Sequence, residues 1–211
     1  MEILLIRHGE SEADLLHVHE GRANFELTAL GRQQVQAMAQ QVKAKFPPDF
    51  IWASTLKRAS ETASILADAV GCPVQFEDDL MEYNNGILAG LSYEKAAHIL
   101  KPSELHIPIE GGESTIEFRM RIEMIFSRIV TEGYPADFSS DDGSGRCNRI
   151  AIVAHGGVIN NILRAFFKLP INREFHFKNG DTALHLIEIT ATERTVHFLN
   201  DTSHLNQKGG E

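Results

Sequence analysis

The chain is poor in cysteine, with two in 211 residues, and in net positive charge, with 20 Lys and Arg against 29 Asp and Glu. Cys72 and Cys147 cannot staple a small secreted scaffold, so the fold must rest on its core, and a reduced intracellular chain is expected. A net charge of −9 argues against a general nucleic-acid binder, which needs a clustered basic face. It leaves a small anionic ligand open, because a few convergent cations make a positive pocket even on an acidic protein. No apolar run approaches membrane-spanning length and no charged-then-apolar leader precedes the first apolar segment. A cytoplasmic soluble protein without a membrane partner is therefore expected. No internal repeat is evident, and at this length one domain can bury a full core.

What the chain does have is two apolar runs that each stop at a histidine and a glycine. Ile3-Leu4-Leu5-Ile6 runs into Arg7-His8-Gly9, and Ile150-Ala151-Ile152-Val153-Ala154 into His155-Gly156-Gly157. In open α/β sheets ligands sit at the carboxyl ends of strands, where an Arg beside a His makes an anion site with a potential nucleophile. A lone His-Gly would be read as packing; two at the same sheet edge point to a site.

Strand and helix signals alternate along the chain. They predict a three-layer α/β sandwich with a mostly parallel sheet, as one domain over 1–205. Thr28 can cap a helix to about Phe46 whose apolar stripe is Val35, Met38, Val42 and Phe46, with Pro47-Pro48 ending it. A strand at 50–53, a helix at 57–70 stopped by Gly71, and a strand at 72–76 follow. The segment 78–109 is less periodic, with a short helix expected at 92–100; it reads as a small insertion over the sheet's carboxyl edge. Ser114-Thr115-Ile116-Glu117 is a capping box opening a helix through Phe118, Ile122, Ile125, Phe126 and Ile129 to Gly133. The stretch 134–149 reads as a flexible surface loop whose Asp141-Asp142 pair lacks the ligand spacing of a calcium loop. A helix at 157–168, strands at 183–189 and 196–200, and a disordered tail at 206–211 complete the expectation.

These motifs, in this order, resemble the histidine phosphatase superfamily, also called phosphoglycerate mutase-like. Besides the two histidine motifs, the resemblance rests on Gly21, Leu27-Thr28-Ala29-Leu30-Gly31-Arg32, the arginine-bearing Ser54-Thr55-Leu56-Lys57-Arg58-Ala59, Glu82 with Gly86 and Gly90, and Gly111-Gly112-Glu113-Ser114. It implies that His8 accepts a phosphoryl group, forming a phosphohistidine that water later hydrolyses. Such chemistry needs a neutral imidazole with one nitrogen free, and charge neutralisation over the phosphoryl oxygens. Arg7 and Arg58 offer forked donors for that purpose, and His155 another. Gly156 opens a helix whose N–H groups suit an anion. Glu82 is the candidate general acid and base, which requires a carboxyl that holds its proton near neutrality.

Gly21, Arg22 and Tyr83 are expected to face phosphate or substrate, with Asn85 beside them. Asp14 departs from the pattern: the family often has an asparagine six residues after the catalytic histidine, and an ionised carboxylate there would repel phosphate. Asp14 is accordingly left out of the phosphate shell, to point away, pair with a cation such as Arg22, or stay protonated. His17 and His19 lack further ligands at familiar spacing and read as loop residues near the pocket mouth, so no metal is assigned. His204 lies near the closing strand, with a structural role as open as a functional one. The expectation is a phosphomonoester hydrolase needing no cofactor, its partner a small phosphorylated metabolite, with no oligomer indicated. A phosphoglycerate mutase and a non-catalytic phospholigand-binding protein are the alternatives. The mutase is disfavoured by Tyr83-Asn84-Asn85, where the mutases place an Arg and a Tyr, and by a shorter following segment without their paired arginines.

Overall fold

The structure is a computed structural model that describes residues 1–133, 149–172 and 174–206. Strands β1 (Glu2–Arg7), β2 (Phe50–Ser54), β3 (Val74–Glu77) and β4 (Arg149–Ala154) run parallel, in the order β3-β2-β4-β1. Strand β5 (Leu184–Ile189) joins β1 antiparallel, and β6 (Arg194–Asp201) joins β5 antiparallel, closing a six-stranded sheet.

The unbroken apolar runs of β1 and β4 follow from burial on both faces. Alternate residues Ile3, Leu5, Phe50, Trp52, Ile150 and Ile152 face α5 (Thr115–Glu132) and α6 (Gly156–Phe166). Their neighbours Leu4, Ile6, Ile51, Ala53, Ala151 and Val153 face α2 (Ala29–Lys45) and α3 (Lys57–Val70). The result is helix, sheet, helix. Thr28 caps α2 by accepting from the Gly31 N–H at 2.8 Å, and Ser114 and Glu117 form the expected reciprocal box on α5.

Several boundaries differ from expectation. Helix α1 (Glu12–Leu16) was not foreseen, and the helix expected at 92–100 shrinks to α4 (Tyr93–Ala96). The segment 78–109 otherwise contains two short 3-10 turns around a small core of Leu88, Ala96 and Ile109. Its backbone is tied to the loop after α1: His19 N–H donates to the Leu91 carbonyl at 2.9 Å and Gly90 N–H to the His19 carbonyl at 2.7 Å. Asn206, expected in the tail, still belongs to a 3-10 turn (Ser203–Asn206); 207–211 and most of the expected loop, 134–148 with Cys147, lie outside the described residues. Cys72 is a free thiol that burial pushes up to about 11.

Candidate active site

Strands β1 and β4 are neighbours in register, Arg7 beside Ala154, so both histidine motifs leave the sheet at one edge. The His8 N–H donates to the Ala154 carbonyl at 3.0 Å, and the rings of His8 and His155 lie 5.1 Å apart between centroids. Both are essentially buried. The Nδ1 of His8 reaches the Gly9 carbonyl at 2.7 Å, a contact that requires the proton on Nδ1 and leaves Nε2 with its lone pair. Arg58 Nε donates to that Nε2 at 3.2 Å. Burial first, then Arg58 and Arg7, holds the His8 imidazole well below the ordinary histidine range.

Arg58 sits on the first turn of α3, wholly buried, and its fork is fixed by carbonyls: that of Ala23 at 2.9 Å and that of Gly21 at 2.9 Å. Gly21 earns its place sterically. Its φ is +48°, and a Cβ there would lie 1.8 Å from Asn85 Oδ1. Arg7 is held by the loop before β5, donating to the Asn179 carbonyl at 2.8 Å and pairing with Asp181 at 3.3 Å, while its Nε is buried without a partner among the described residues. His155 Nε2 is hydrogen-bonded to Ser54 Oγ at 2.8 Å, and its imidazole is likewise held low by burial, Arg58 and His8.

Glu82 reaches the site from the insertion. Its carboxylate accepts from its neighbour's N–H, Tyr83, at 2.7 Å and from Gly157 N–H at 2.8 Å. The second contact explains the glycine pair of the His155 motif, since a Cβ on Gly157 would lie 2.3 Å from Glu82 Oε1. Burial pushes the Glu82 carboxyl up, against the pull of those two N–H groups and Arg58. Two arginines clamp its backbone: Arg121 of α5 donates to the carbonyls of Asp79, Met81 and Glu82, and Arg22 Nε to that of Glu82 at 3.3 Å.

Arg7, His8, Glu82 and Gly156 line a cavity of about 430 Å³ together with Glu20, Gly157, Asn160, Asn161, Arg164, His176 and Asn179. Arg58 meets it at its Nε, beside His8 and Glu20, and His155 backs the His8 ring. The other assignments fall differently. Arg22 is engaged with the Glu82 carbonyl and Glu113, so it braces the acid's loop. Tyr83 packs at a tilt against Phe118 and lines a separate apolar cavity between the insertion and α5. Asp14 accepts from the Ser11 N–H at 2.9 Å and, among the described residues, makes no pair with Arg22. His17 caps α1 in a left-handed conformation and His19 meets Tyr93 edge to face; neither belongs to a cluster of three ligand-type side chains among the described residues. His204 is buried and bonded to Thr182 Oγ1 at 2.7 Å, and Thr182 N–H donates to the His8 carbonyl at 3.1 Å. That chain props the backbone of His8.

Four participants escaped the sequence reading: Glu20, Ser54, Arg121 and Asp181. Ser54 and Glu20 lie inside or beside motifs already singled out, at a strand end and next to Gly21; Arg121 and Asp181 lie in no motif and reach the site only through polar contacts made in the fold.

The profile of the histidine phosphatase superfamily (branch 1) matches residues 3–202, and the chain belongs to that superfamily. Phosphoglycerate mutase-like protein 4 of Arabidopsis thaliana is 30% identical over 219 residues, covering 99% of this chain and 88% of its own. Glucosyl-3-phosphoglycerate phosphatase of Mycolicibacterium vanbaalenii is 29% identical, covering 81% of this chain and 76% of its own. Among solved structures, the alpha-ribazole phosphatase from Shigella flexneri has the same fold, with a TM-score of 0.78 at 24% identity over 96% of this chain and 97% of that one.

Proposed function

We propose that this chain is a metal-independent phosphomonoester hydrolase that works through a phosphohistidine at His8. The observation that carries the reading is the state of that ring: buried, neutral, fixed at Nδ1, with Nε2 unprotonated at the wall of a polar cavity. A phosphomonoester placed there presents phosphorus to Nε2. The N–P bond forms as the P–O bond to the leaving group breaks, and Glu82 passes its proton to the departing alkoxide. Arg7, with its unpartnered Nε, and Arg58 meet the charge on the phosphoryl oxygens. The Glu82 carboxylate then takes a proton from water, whose oxygen attacks phosphorus, releasing inorganic phosphate and restoring His8.

One α/β domain, 1–205, carries all of this, with the insertion supplying the acid. The size and polarity of the cavity suit a small phosphorylated metabolite, with Asn160, Asn161, Arg164 and His176 as further polar lining residues. The relatives named for glucosyl-3-phosphoglycerate and phosphoserine define the panel to try first. The test is turnover of that panel in heavy-oxygen water. A hydrolase releases inorganic phosphate carrying one solvent oxygen. Isomerised substrate without phosphate release would instead identify a mutase, and neither product would remove the catalytic reading.

A further inference from the structure

Glu20 is the one carboxylate that reaches the reactive nitrogen of His8 among the described contacts, and the mechanism above does not use it. It lines the same cavity as His8 and Glu82, in the loop between α1 and α2. One oxygen lies 3.4 Å from Arg58 Nε and the other 3.8 Å from His8 Nε2. A carboxylate so placed stands where a phosphoryl oxygen would have to stand to be held by Arg58 during attack. The inference therefore rests on the reading of this cavity as a phosphoryl site.

A second observation concerns protons. The Ser11 hydroxyl has one, yet two carboxylate oxygens lie within its hydrogen-bonding reach, Glu20 Oε1 and Asp14 Oδ2. With both acids ionised, one of those contacts lacks a hydrogen. With Glu20 protonated, Glu20 can donate to Ser11 Oγ or to an anion in the cavity, while Ser11 remains free to donate to Asp14.

His8 at the end of β1 and His155 at the end of β4 are neutral; Arg58 of α3 faces Glu20 directly. Arg7 is paired with Asp181, and Asp14 on α1, Glu82 from the insertion, and Arg164 of α6 and His176 on the cavity wall complete the set among the described residues. With Glu20 ionised, Arg58 is matched by Glu20 and Arg7 by Asp181, and Arg164, bonded to the Asn172 and Phe175 carbonyls, is the unmatched cation left on the cavity wall among the described residues.

We infer that Glu20 is a proton-linked occupant of the phosphoryl site: ionised, it fills the anion position beside Arg58, and it takes up one proton when a tetrahedral dianion binds there. The proton comes from solvent and stays on the Glu20 carboxyl, which then donates to an oxygen of the anion. Glu20 thus selects for the charge of what is bound. It favours a dianion arriving with a proton and resists the bare dianion more strongly as pH rises.

Tungstate is a suitable probe, being a tetrahedral dianion that does not itself titrate in mildly alkaline solution. Calorimetric titration of the protein at about pH 8, in two buffers of different ionisation enthalpy, reads the protons taken up per tungstate bound. The wild type should take up about one, and its affinity should weaken about tenfold per pH unit. Glu20→Gln should take up close to none, bind about tenfold or more tightly at that pH, and lose the pH slope; Glu82→Gln should keep the uptake. Binding to the wild type without proton uptake would overturn the inference while leaving the phosphoryl site standing, and needs no variant to fold. Uptake that survives in Glu20→Gln, or vanishes in Glu82→Gln, would assign the proton to another group and overturn it equally. No tungstate binding at any pH would overturn the phosphoryl site and the inference together.

Discussion

The two ends of the sheet carry the same residue types and do different things with them. At the amino end, Arg149 pairs with Glu2, its Nε 2.7 Å from the carboxylate, and His197 pairs with Glu188 at 3.1 Å. Those side chains are 20–36% exposed. Each of these side chains has a partner and is shared with water, and the contacts amount to a solvated rim. At the carboxyl end, Arg58 is fully buried and bound mainly to carbonyls, His8 and His155 are held neutral, and Glu82 is pushed toward its protonated form. Glu20 supplies the one full negative charge set directly against Arg58. Partners that are neutral leave the cation able to act on a ligand; partners that are ionised spend it. Residue type alone does not separate a rim from a reactive site. Burial and the charge state of the partners do.

The sharpest contrast is nucleophile against rim. Replacing His8 by Ala should cut turnover by at least about 10³-fold, since it removes the unprotonated nitrogen that His8 presents at the cavity wall. Because the side chain borders a cavity, the urea midpoint should shift by less than the equivalent of about 2 kcal/mol. Retained turnover in this variant would move the reactive site elsewhere.

Next comes Glu82→Gln, which should depress kcat/KM for an alkyl phosphate about 10²-fold more than for a nitrophenyl phosphate, whose leaving group departs with little help. Equal losses on both would reduce Glu82 to a positioning role. The same variant should remove the alkaline limb of the alkyl-phosphate profile that reflects loss of the Glu82 proton. The acid limb belongs to His8 and should lie below the ordinary imidazole range, because its nitrogen must be unprotonated to attack.

A smaller effect belongs to the core behind the site. Burial holds His185, on β5, down from 6.5 to about 4, with its Nδ1 accepting from Asn200 N–H at 3.1 Å. The unfolded chain binds this proton below 6.5 and the folded chain only below about 4, so stability falls as pH drops through that window. The loss from this group is about 3 kcal/mol when converted at the usual free energy per pKa unit. Urea unfolding across the window measures it, and the slope should lessen in His185→Gln.

At the amino end, Glu2→Gln should cost less than about 1 kcal/mol of stability and leave kcat/KM unchanged, as expected of a partly exposed pair. Smallest of all, exhaustive chelation with EDTA should leave aryl phosphatase activity where it was, because Arg7 and Arg58 supply the positive charge. Activity lost to EDTA and restored by a divalent ion would end the metal-independent account.

Much of this was legible in the chain. The runs ending at His8 and His155 read as strands because burial on both faces demands unbroken apolar residues, and Ser114 with Glu117 marks its helix start by local hydrogen bonding alone. Helix α1 was not legible: it spans Glu12–Leu16, and Leu15 and Leu16 are 64% and 60% exposed, so no apolar period announces it. The insertion's helix came out short because its small core is made with Leu88 and Ile109, which lie outside it in sequence. Arg7, His8, Arg58, Glu82 and His155 were picked out from strand ends and motif order, and the structure brings them together. Glu20 was passed over because an acid in an acidic chain carries no signal until the fold sets it against Arg58. Nearness to motif residues suggests that Arg22 and Tyr83 face substrate, but nearness in sequence does not say which side of a loop a side chain takes, and here Arg22 turns to Glu82 and Glu113 and Tyr83 to Phe118.

The account stands on the covalent intermediate. The wild-type protein mixed rapidly with a labelled phosphomonoester, quenched without acid and digested at alkaline pH, should yield one phosphorylated peptide. Its phosphate should be stable to base, labile to acid, and assigned by fragmentation to the His8 imidazole. Inorganic phosphate released in step with substrate loss, with no phosphate ever found on His8 under conditions where its hydrolysis is slow, would contradict it.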